Sequence, residues 1–337
     1  MTTVLIACYI DPAEGLERSL LETLAGGRQL RDKLGEASLR AVLLGADLNG
    51  YAEKLIQSGA DEALVVDHPR LKNAEADILV GVLEQVARRL LPDVILFPNS
   101  LVGEQVAPRL AYRLGAGIIT DCTGFEIKEG AGSKQIRWLR PVYGGKAMAY
   151  MVANGPLQIA TIRSRAFEPL PPDPARQGRV QPMDIDVDSL PCRVSLVQKI
   201  QEAQEGISLD QAEIVVSGGR GMGGPEGFAE LRKLADCLKA GLAGSRPAAD
   251  SGWVPHSRLV GQTGKIVAPQ LYIAVGISGA PQHMAGAGSS KLIVAINKDE
   301  EAPIFKQAHV GVIGEWQQVI PAFYKACERI VEARKST

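Results

Sequence analysis

The feature that most constrains this fold is a regular alternation of short apolar runs with longer segments of helical periodicity. Up to about residue 165, the strand-like runs VLIACYI, LRAVLLG, ALVVD, DVILFPN and AGIIT are separated by helical patterns at 16–34, 51–57, 74–91 and 103–114. Strands that alternate with helices are joined by crossover connections. The pattern therefore predicts a mainly parallel sheet with helices on both faces.

Two further apolar segments follow this alternation. IRWLRPVYGGKAMAYMVAN predicts an antiparallel hairpin that turns at Gly144-Gly145, and LQIATIRS predicts one more strand. The stretch PLPPDPARQGRVQP, within Glu168–Pro191, then places five prolines in fourteen residues. Because proline breaks helices and removes a donor from a sheet, we expect a linker region here, neither helix nor central strand.

A second alternation occupies the rest of the chain. It contains the strand-like runs AEIVVSGGRG, AGLAGSR, QLYIAVGIS, KLIVAIN and HVGVIG, with helices from Pro225 to about residue 240 and from Trp316 to about residue 335. The predicted fold class is α/β with two doubly wound domains, and the N-terminal domain carries the antiparallel extension. We expect the domains to be 1–205 and 206–337, with the junction at Glu205–Asp210.

Composition and charge exclude several classes of protein. The 37 Lys and Arg nearly balance the 38 Asp and Glu, and no basic stripe indicates a nucleic-acid partner. The five cysteines and four histidines show no metal-binding spacing, so no metal site is expected. No apolar run reaches the ~20 residues of a membrane helix, and the first residues lack the features of a targeting segment. A cytoplasmic protein without a membrane span is the expectation.

Small or hydrogen-bonding residues follow each predicted strand of the second domain. In a doubly wound sheet, ligands bind at the carboxyl ends of the strands. Turns are often glycine-rich and polar for structural reasons alone, but five successive ends of this kind favour a ligand spread across the whole sheet edge. The five groups are Ser217–Gly221, Gly244–Arg246, Gly276–Gly279, Asn297 and Gly314–Glu315.

A formal GxGxxG motif, formed by Gly219, Gly221 and Gly224, begins in the first of these groups. Between a strand and a helix, such glycines can offer backbone amides and a helix N-terminus to a pyrophosphate, although a tight turn explains them as well. An NAD site would need an acid after the second strand, where this chain has Ser245-Arg246. NAD is therefore disfavoured, whereas NADP stays open. VGQTGK is not a P-loop, because its glycine spacing and its Ile266 do not match.

Four stretches of the second domain resemble the α subunit of electron transfer flavoproteins closely. They are SGGRG, GSRPAADSGWVP, VGQTGKIVAPQLYIAVGISGAPQHMAG and KLIVAINKDEEAPIF, which lie between residues 217 and 305 in the order and spacing of that family. The first domain, with its Pro141–Lys146 segment and proline-rich region, is also similar to the family's N-terminal domain. The resemblance implies that the second domain is a Rossmann-like FAD-binding domain and that the chain pairs with a β subunit.

The resemblance also implies which residues contact FAD. At the last strand end the chain has Glu315-Trp316, where the family typically has Asp followed by Leu. The implied cofactor-binding residues are Arg220, Ser245, Arg246, Val260, Gly261, Gln262, Thr263, Ser278, Gly279, Ala280, Pro281, Gln282, His283, Asn297 and Glu315.

Three of these residues have predicted roles. A flavin gathers negative charge around N1 and the C2 carbonyl on reduction, so a nearby cation raises its potential. Arg246 is the candidate cation, because guanidinium stays charged and stacks on planar rings. By the resemblance, Thr263 should hydrogen-bond N5, and His283 should lie near the C2 carbonyl. No nucleophile, acid–base pair or metal set accompanies them, which favours an electron carrier over a substrate-transforming enzyme.

The function implied is that of a heterodimeric electron carrier. It would accept electrons from flavin dehydrogenases, typically the acyl-CoA dehydrogenases of fatty acid oxidation, and pass them to a quinone-linked or other acceptor. Two alternatives stay open: an electron-bifurcating type in which the β subunit oxidises NADH, and an autonomous NADP-dependent oxidoreductase. The first domain, which has no glycine-rich phosphate loop, is expected to dock the β subunit and to bind no nucleotide. The junction is expected to be either a hinge or an inert connector.

Overall fold

The computed structural model describes residues 2–73, 75–130, 133–145, 147–198, 206–209 and 212–335. The chain forms two compact units, one of Met1–Val142 with Lys146–Lys199 and the other of Tyr143–Gly145 with Ile200–Thr337. Residues 206–209 of the predicted junction at Glu205–Asp210 are described, whereas its two end residues lie outside the described residues. Within the described parts of the chain, no helix combines the length and apolar character needed to cross a bilayer.

The first unit is built on a seven-stranded sheet in which all neighbouring strands are parallel, in the order β10-β3-β2-β1-β4-β9-β5. Its elements are β1 (Thr2–Ile10), α1 (Arg18–Leu34), β2 (Ala37–Gly45), α2 (Tyr51–Gln57), β3 (Glu62–Asp67), α3 (Ala76–Leu90), β4 (Val94–Pro98), α4 (Leu101–Leu114), β5 (Gly117–Cys122), β6 (Gly124–Gly130), β7 (Ser133–Val142), β8 (Ala147–Met151), β9 (Gln158–Ile162) and β10 (Arg179–Pro182).

Apolar side chains on both faces explain the uninterrupted runs of the sequence. In β1, Val4 and Ile6 join a core cluster that includes the apolar residues of α1. Leu5 and Ala7 point to the opposite face and join a cluster that includes those of α3 and α4. A parallel strand that is covered on both sides must be apolar at every position. The alternation of the sequence thus fixes a doubly wound sheet.

The antiparallel extension is a separate sheet of three strands, in the order β6-β7-β8. The predicted hairpin corresponds to β7 and β8, where Val142 pairs with Ala147 across a turn at Tyr143–Gly145. The extension also contains β6, which the sequence pattern did not indicate. The further strand at LQIATIRS is β9, which lies between β4 and β5 in the large parallel sheet.

The proline-rich segment is not a linker, which corrects the expectation from sequence. Its residues Arg179–Pro182 form β10, an edge strand parallel to β3. Farther along, Ile185 and Val187 are buried in the core of the first unit. An edge strand tolerates proline at its end because a donor on its outer side has no strand to bond. The prolines therefore flank a short edge strand instead of separating two domains.

The second unit contains a five-stranded parallel sheet in the order β12-β11-β13-β14-β15. Helices cover both faces, and the prediction of two doubly wound α/β domains is confirmed. Its elements are β11 (Ile214–Gly218), α5 (Pro225–Leu238), β12 (Gly241–Gly244), α6 (Arg246–Asp250), β13 (Leu271–Val275), α7 (Pro281–Ala287), β14 (Leu292–Asn297), β15 (Val310–Ile313) and α8 (Trp316–Lys335).

Candidate functional site

In the sheet of the second unit, the strand order changes direction between β11 and β13. Counted within the unit, the strand order is 2-1-3-4-5, so the switch point lies between strands 1 and 3. The carboxyl ends of parallel strands share one edge of the sheet, and a switch point opens a crevice there. The predicted residues after all five strands consequently lie along a single edge.

Arg246 and Thr263 lie next to each other at this edge although they are 17 residues apart in the sequence. Arg246 begins α6, directly after β12, and its Nη1 donates a hydrogen bond to Thr263 Oγ1 at 3.2 Å. Its Nε lies 3.5 Å from Asp250 Oδ2, and 65% of the side chain is exposed. A guanidinium this open keeps free donors and a free planar face. It is accessible to an anionic or aromatic group of a ligand.

The turn of residues 260–265 is held in place by its backbone. Val260 N donates to Gly244 O at 3.0 Å, and Gln262 N donates to Gln282 O at 2.7 Å. Gly261 has a φ of 151°, and a Cβ on Gly286 would lie 2.4 Å from Gly261 N. These contacts tie the turn to the end of β12 and to α7. Thr263 is therefore positioned by the main chain.

His283 lies in α7 and is the most enclosed of the predicted residues with a titratable side chain. It is 7% exposed, and its Nε2 lies 2.9 Å from the hydroxyl of Tyr272. Burial lowers the pKa of His283 to about 4, an effect that the backbone of Val260 opposes in part. The imidazole is neutral near pH 7. Its buried partner Tyr272 was missed from sequence, although it carries the single hydroxyl of the run LYIAV.

The remaining predicted residues differ in their exposure to solvent. Ser278, Ala280, Pro281 and Gln282 are exposed at the end of β13 and the start of α7, with buried Gly279 among them. Arg220 is exposed in the turn that follows β11.

The side chains of Asn297 and Glu315 each interact with other residues of the chain. Asn297 Nδ2 donates to Ile277 O at 2.9 Å and its Oδ1 accepts from Asp299 N, so that this side chain links two strand ends. The carboxylate of Glu315 lies 3.5 Å from Lys298 Nζ. Lys298, one residue beyond β14, is a charged member of this edge that sequence reasoning did not select.

The glycine motif does not form the phosphate cradle that its pattern suggested. Gly219 N donates to Val275 O at 2.8 Å, and Gly221 N donates to Gly276 O at 3.0 Å. A Cβ on Gly219 would lie 2.1 Å from Gly276 O. These glycines let two backbones touch across the switch point, so the amides of Gly219 and Gly221 are used inside the protein. The pyrophosphate interpretation of these two amides is wrong.

Three buried polar atoms of the second unit have no hydrogen-bond partner within the described residues. They are Ser217 Oγ in β11, Ser245 Oγ after β12 and His283 Nδ1 in α7. Leaving such an atom unpaired costs about 1–3 kcal/mol, so a native protein usually has a reason for it. With the exposed guanidinium groups nearby, these atoms fit an anionic cofactor with a polar ring. The arrangement defines a flavodoxin-like, cofactor-binding α/β protein.

Comparison with known proteins agrees with this class. The profile of the family described as "Electron transfer flavoprotein domain" matches residues 11–188, and that described as "Electron transfer flavoprotein FAD-binding domain" matches residues 208–288. The chain is 39% identical to the electron transfer flavoprotein subunit alpha of Thermoanaerobacterium thermosaccharolyticum, over 92% of this chain and 93% of that protein.

Two further relatives extend the comparison. The chain is 37% identical to the electron transfer flavoprotein subunit alpha of Bacillus subtilis, over 91% of each chain. It is 34% identical to the lactate dehydrogenase (NAD(+),ferredoxin) subunit LctC of Acetobacterium woodii, over 94% of this chain and 75% of that protein. The chain belongs to the electron transfer flavoprotein α subunit family. It is a flavoprotein of electron transport.

The first unit contains a cavity among its described residues. It lies at the carboxyl ends of β1 and β4, is lined mainly by apolar side chains such as Leu44, Leu83 and Phe97, and has a volume of about 40 Å³. This volume holds about three water molecules.

Proposed function

We propose that this chain is the α subunit of a heterodimeric electron transfer flavoprotein that binds FAD at the carboxyl edge of its second unit. It accepts electrons from flavin dehydrogenases, typically acyl-CoA dehydrogenases, and passes them to a quinone-linked or other acceptor. Bound FAD supplies the one- and two-electron chemistry. The observation that carries the proposal is the contact of Arg246 with Thr263 at the edge where three buried polar atoms lack partners.

Each residue has a distinct task in this proposal. The Arg246 cation stabilises negative charge on the isoalloxazine ring and thereby raises its potential. Because Thr263 Oγ1 accepts a hydrogen bond from Arg246, the hydroxyl proton of Thr263 stays available for an acceptor such as N5. His283 is the candidate partner of the C2 carbonyl. No side chain of this set has to remove or add a proton at a carbon substrate.

The first unit supports the proposal of a β-subunit partner. β8 is at the edge of its three-stranded sheet, and Met148, Tyr150 and Met151 are between 41% and 49% exposed. A sheet edge with exposed Met and Tyr side chains is typical of interaction surfaces. We propose that the β subunit docks on β8. The domain boundary between residues 205 and 206 stays a prediction.

Co-expression with the β subunit tests the proposal. The purified complex should be yellow, contain one noncovalent FAD per α subunit, and lose the β subunit when Met148 and Met151 are both replaced by Glu. The exposed pair Leu91 and Tyr112, replaced in the same way, is the matched control and should leave the complex intact. A colourless protein that binds NADPH would overturn the FAD proposal.

A bifurcating role is the second candidate, and the name of the Acetobacterium woodii relative favours it. In that case the β subunit holds a second flavin that reacts with NADH. Two flavins per heterodimer would support bifurcation, and one FAD with one AMP would support simple transfer. An autonomous NADP-dependent oxidoreductase is less well supported, because the amides of Gly219 and Gly221 are already bonded.

A further inference from the structure

Two cysteines of the second unit lie on neighbouring helices. Cys237 is near the end of α5, Cys327 is in the middle of α8, and both are free thiols that are partly exposed. The two helices pack against each other. Phe323, Tyr324 and Cys327 of α8 contact the same apolar cluster to which α5 contributes. Cys327 is therefore on the side of α8 that faces the rest of the unit.

The two thiols also lie at the same height along the sheet. Helix α5 follows β11 and α8 follows β15, so both helices begin at the carboxyl edge of a parallel sheet and run back across it. Cys237 is the thirteenth residue of α5 and Cys327 is the twelfth of α8. At a rise of ~1.5 Å per residue, each lies roughly 16–18 Å from the start of its helix. Parallel helices in contact thus bring these two positions side by side.

The electrostatics of the two side chains agree with this placement. Burial raises the pKa of the Cys327 thiol, and Cys237 raises it further because two thiolates repel each other. Cys237 also acts on Tyr324 of α8, since the pKa of this phenol is raised mainly by Glu328 and, to a smaller extent, by Cys237. Such interactions weaken quickly with distance. The thiol of Cys237 is therefore close to α8.

We propose that Cys237 and Cys327 form a redox modification site, at which a low-molecular-weight disulfide converts the two thiols reversibly into a disulfide that joins α5 to α8. The thiolate of Cys237 attacks one sulfur of the oxidant, which releases the first small thiolate and leaves a mixed disulfide. The thiolate of Cys327 then attacks the Cys237 sulfur and releases the second small thiolate. The two protons of the protein thiols pass to the released thiolates. Two cysteines are thus oxidised, and one small disulfide is reduced to two thiols.

The order of the two cysteines follows from their surroundings. Only the thiolate is a nucleophile, and burial disfavours the thiolate of Cys327, so Cys237 reacts first. In the mixed disulfide Cys237 carries no charge, and one of the two causes that raise the pKa of Cys327 is removed. Cys327 then ionises more readily and closes the bond.

The experiment uses the full chain, which is reduced and then treated with glutathione disulfide until Cys192, an exposed cysteine of the first unit, is modified. Remaining thiols are alkylated, and tryptic peptides are identified by mass spectrometry. The peptide LADCLK, which contains Cys237, should be linked to ACER, which contains Cys327, and dithiothreitol should remove the link. Modified Cys192 without this link would overturn the proposal. A link found only in covalent dimers on a non-reducing gel would also overturn it.

Single variants separate the roles of the two thiols. In Cys327→Ser, Cys237 should stop at the mixed disulfide with glutathione, whereas in Cys237→Ser, Cys327 should react several-fold more slowly. Faster modification of Cys327 than of Cys237 would overturn the proposed order.

Thermal unfolding shows whether the bond fits the native structure. The unfolding midpoint of wild type should rise on oxidation, because the bond closes a long loop of the unfolded chain, and it should not rise in Cys237→Ser or Cys327→Ser. Cys192→Ser is the matched control and should keep both the link and the rise. A cross-linked wild type whose midpoint does not rise would overturn the proposal, because the bond would then form only in a distorted chain.

Discussion

The guanidinium Nη1 of Arg246 lies 3.2 Å from Thr263 Oγ1, and this hydrogen bond joins the end of β12 to the turn that follows residue 259. One partner is a permanent cation and the other a hydroxyl that keeps its own proton. The pair therefore offers a positive charge and a neutral donor side by side. Both are what an electron-accepting ring requires.

Replacing Arg246 by Ala should lower the potential of the bound flavin. Loss of one nearby cation costs the reduced ring roughly 1.4 kcal/mol, or about 60 mV for a one-electron step. Spectroelectrochemical titration measures it. Arg246→Lys should retain part of the potential. Lys233→Ala, which removes an exposed cation of α5 paired with Glu230, is the charge-matched control. Equal potentials in Arg246→Ala and wild type would remove Arg246 from the proposed role.

Gly219→Ala should destabilise the second unit. The new Cβ would lie 2.1 Å from Gly276 O, and backbone atoms on both sides leave no room for it. Overpacking of this kind costs about 1–3 kcal/mol in the free energy of unfolding. Chemical denaturation provides the measurement. Gly124→Ala is the control, because its Cβ would meet Leu139 at an ordinary 3.9 Å. Equal free energies of unfolding in Gly219→Ala and Gly124→Ala would contradict the close contact between the backbones of Gly219 and Gly276.

Stability should fall as pH falls from about 6.5 to about 4. In the folded protein the pKa of His283 is lowered to about 4 by burial, so in this range the unfolded chain binds a proton that the folded chain does not. The contribution is complete above about pH 6.5 and its loss approaches about 3 kcal/mol near pH 4.

Denaturation midpoints measured across this pH range test the contribution of His283. In His283→Gln the decline should be smaller by that amount. His256→Gln, which removes an exposed histidine, serves as the matched control. A slope that His283→Gln leaves as it was would mean that His283 is not buried in a neutral form.

Arg70→Ala should release the proline-rich segment from the first unit. The Arg70 guanidinium donates to the carbonyl oxygens of Val187, Asp188 and Leu190 at 2.6, 2.8 and 3.1 Å. Hydrogen bonds from a charged donor contribute about 1.5–3 kcal/mol. Trypsin should then cut after Arg179 much faster. Arg88→Ala, which removes a surface ion pair with Glu84, should leave the cleavage rate unchanged. Fast cleavage of the wild type would show that the segment is not held.

Local pattern was enough to predict much of the fold. Helix α2 begins and ends at the residues that the sequence predicted. Helix α8 begins at the predicted Trp316 and ends at Lys335, close to the predicted end at about residue 335. A parallel strand buried on both faces is apolar throughout, and an amphipathic helix repeats every 3.6 residues, so both are visible in a short window. The short strand β10 was missed because its pairing with β3 depends on residues more than a hundred positions away.

The sequence by itself determined that the chain forms two doubly wound α/β domains and that the residues after five strands share one edge. Both follow from periodicity and from the rule that parallel strands end together. Only the tertiary structure decided what those residues do there. The amides of Gly219 and Gly221 turn toward β13, Asn297 links two strand ends, and Tyr272 pairs with His283. Hydrogen bonds between distant segments depend on distances of a few ångströms, which no sequence spacing encodes.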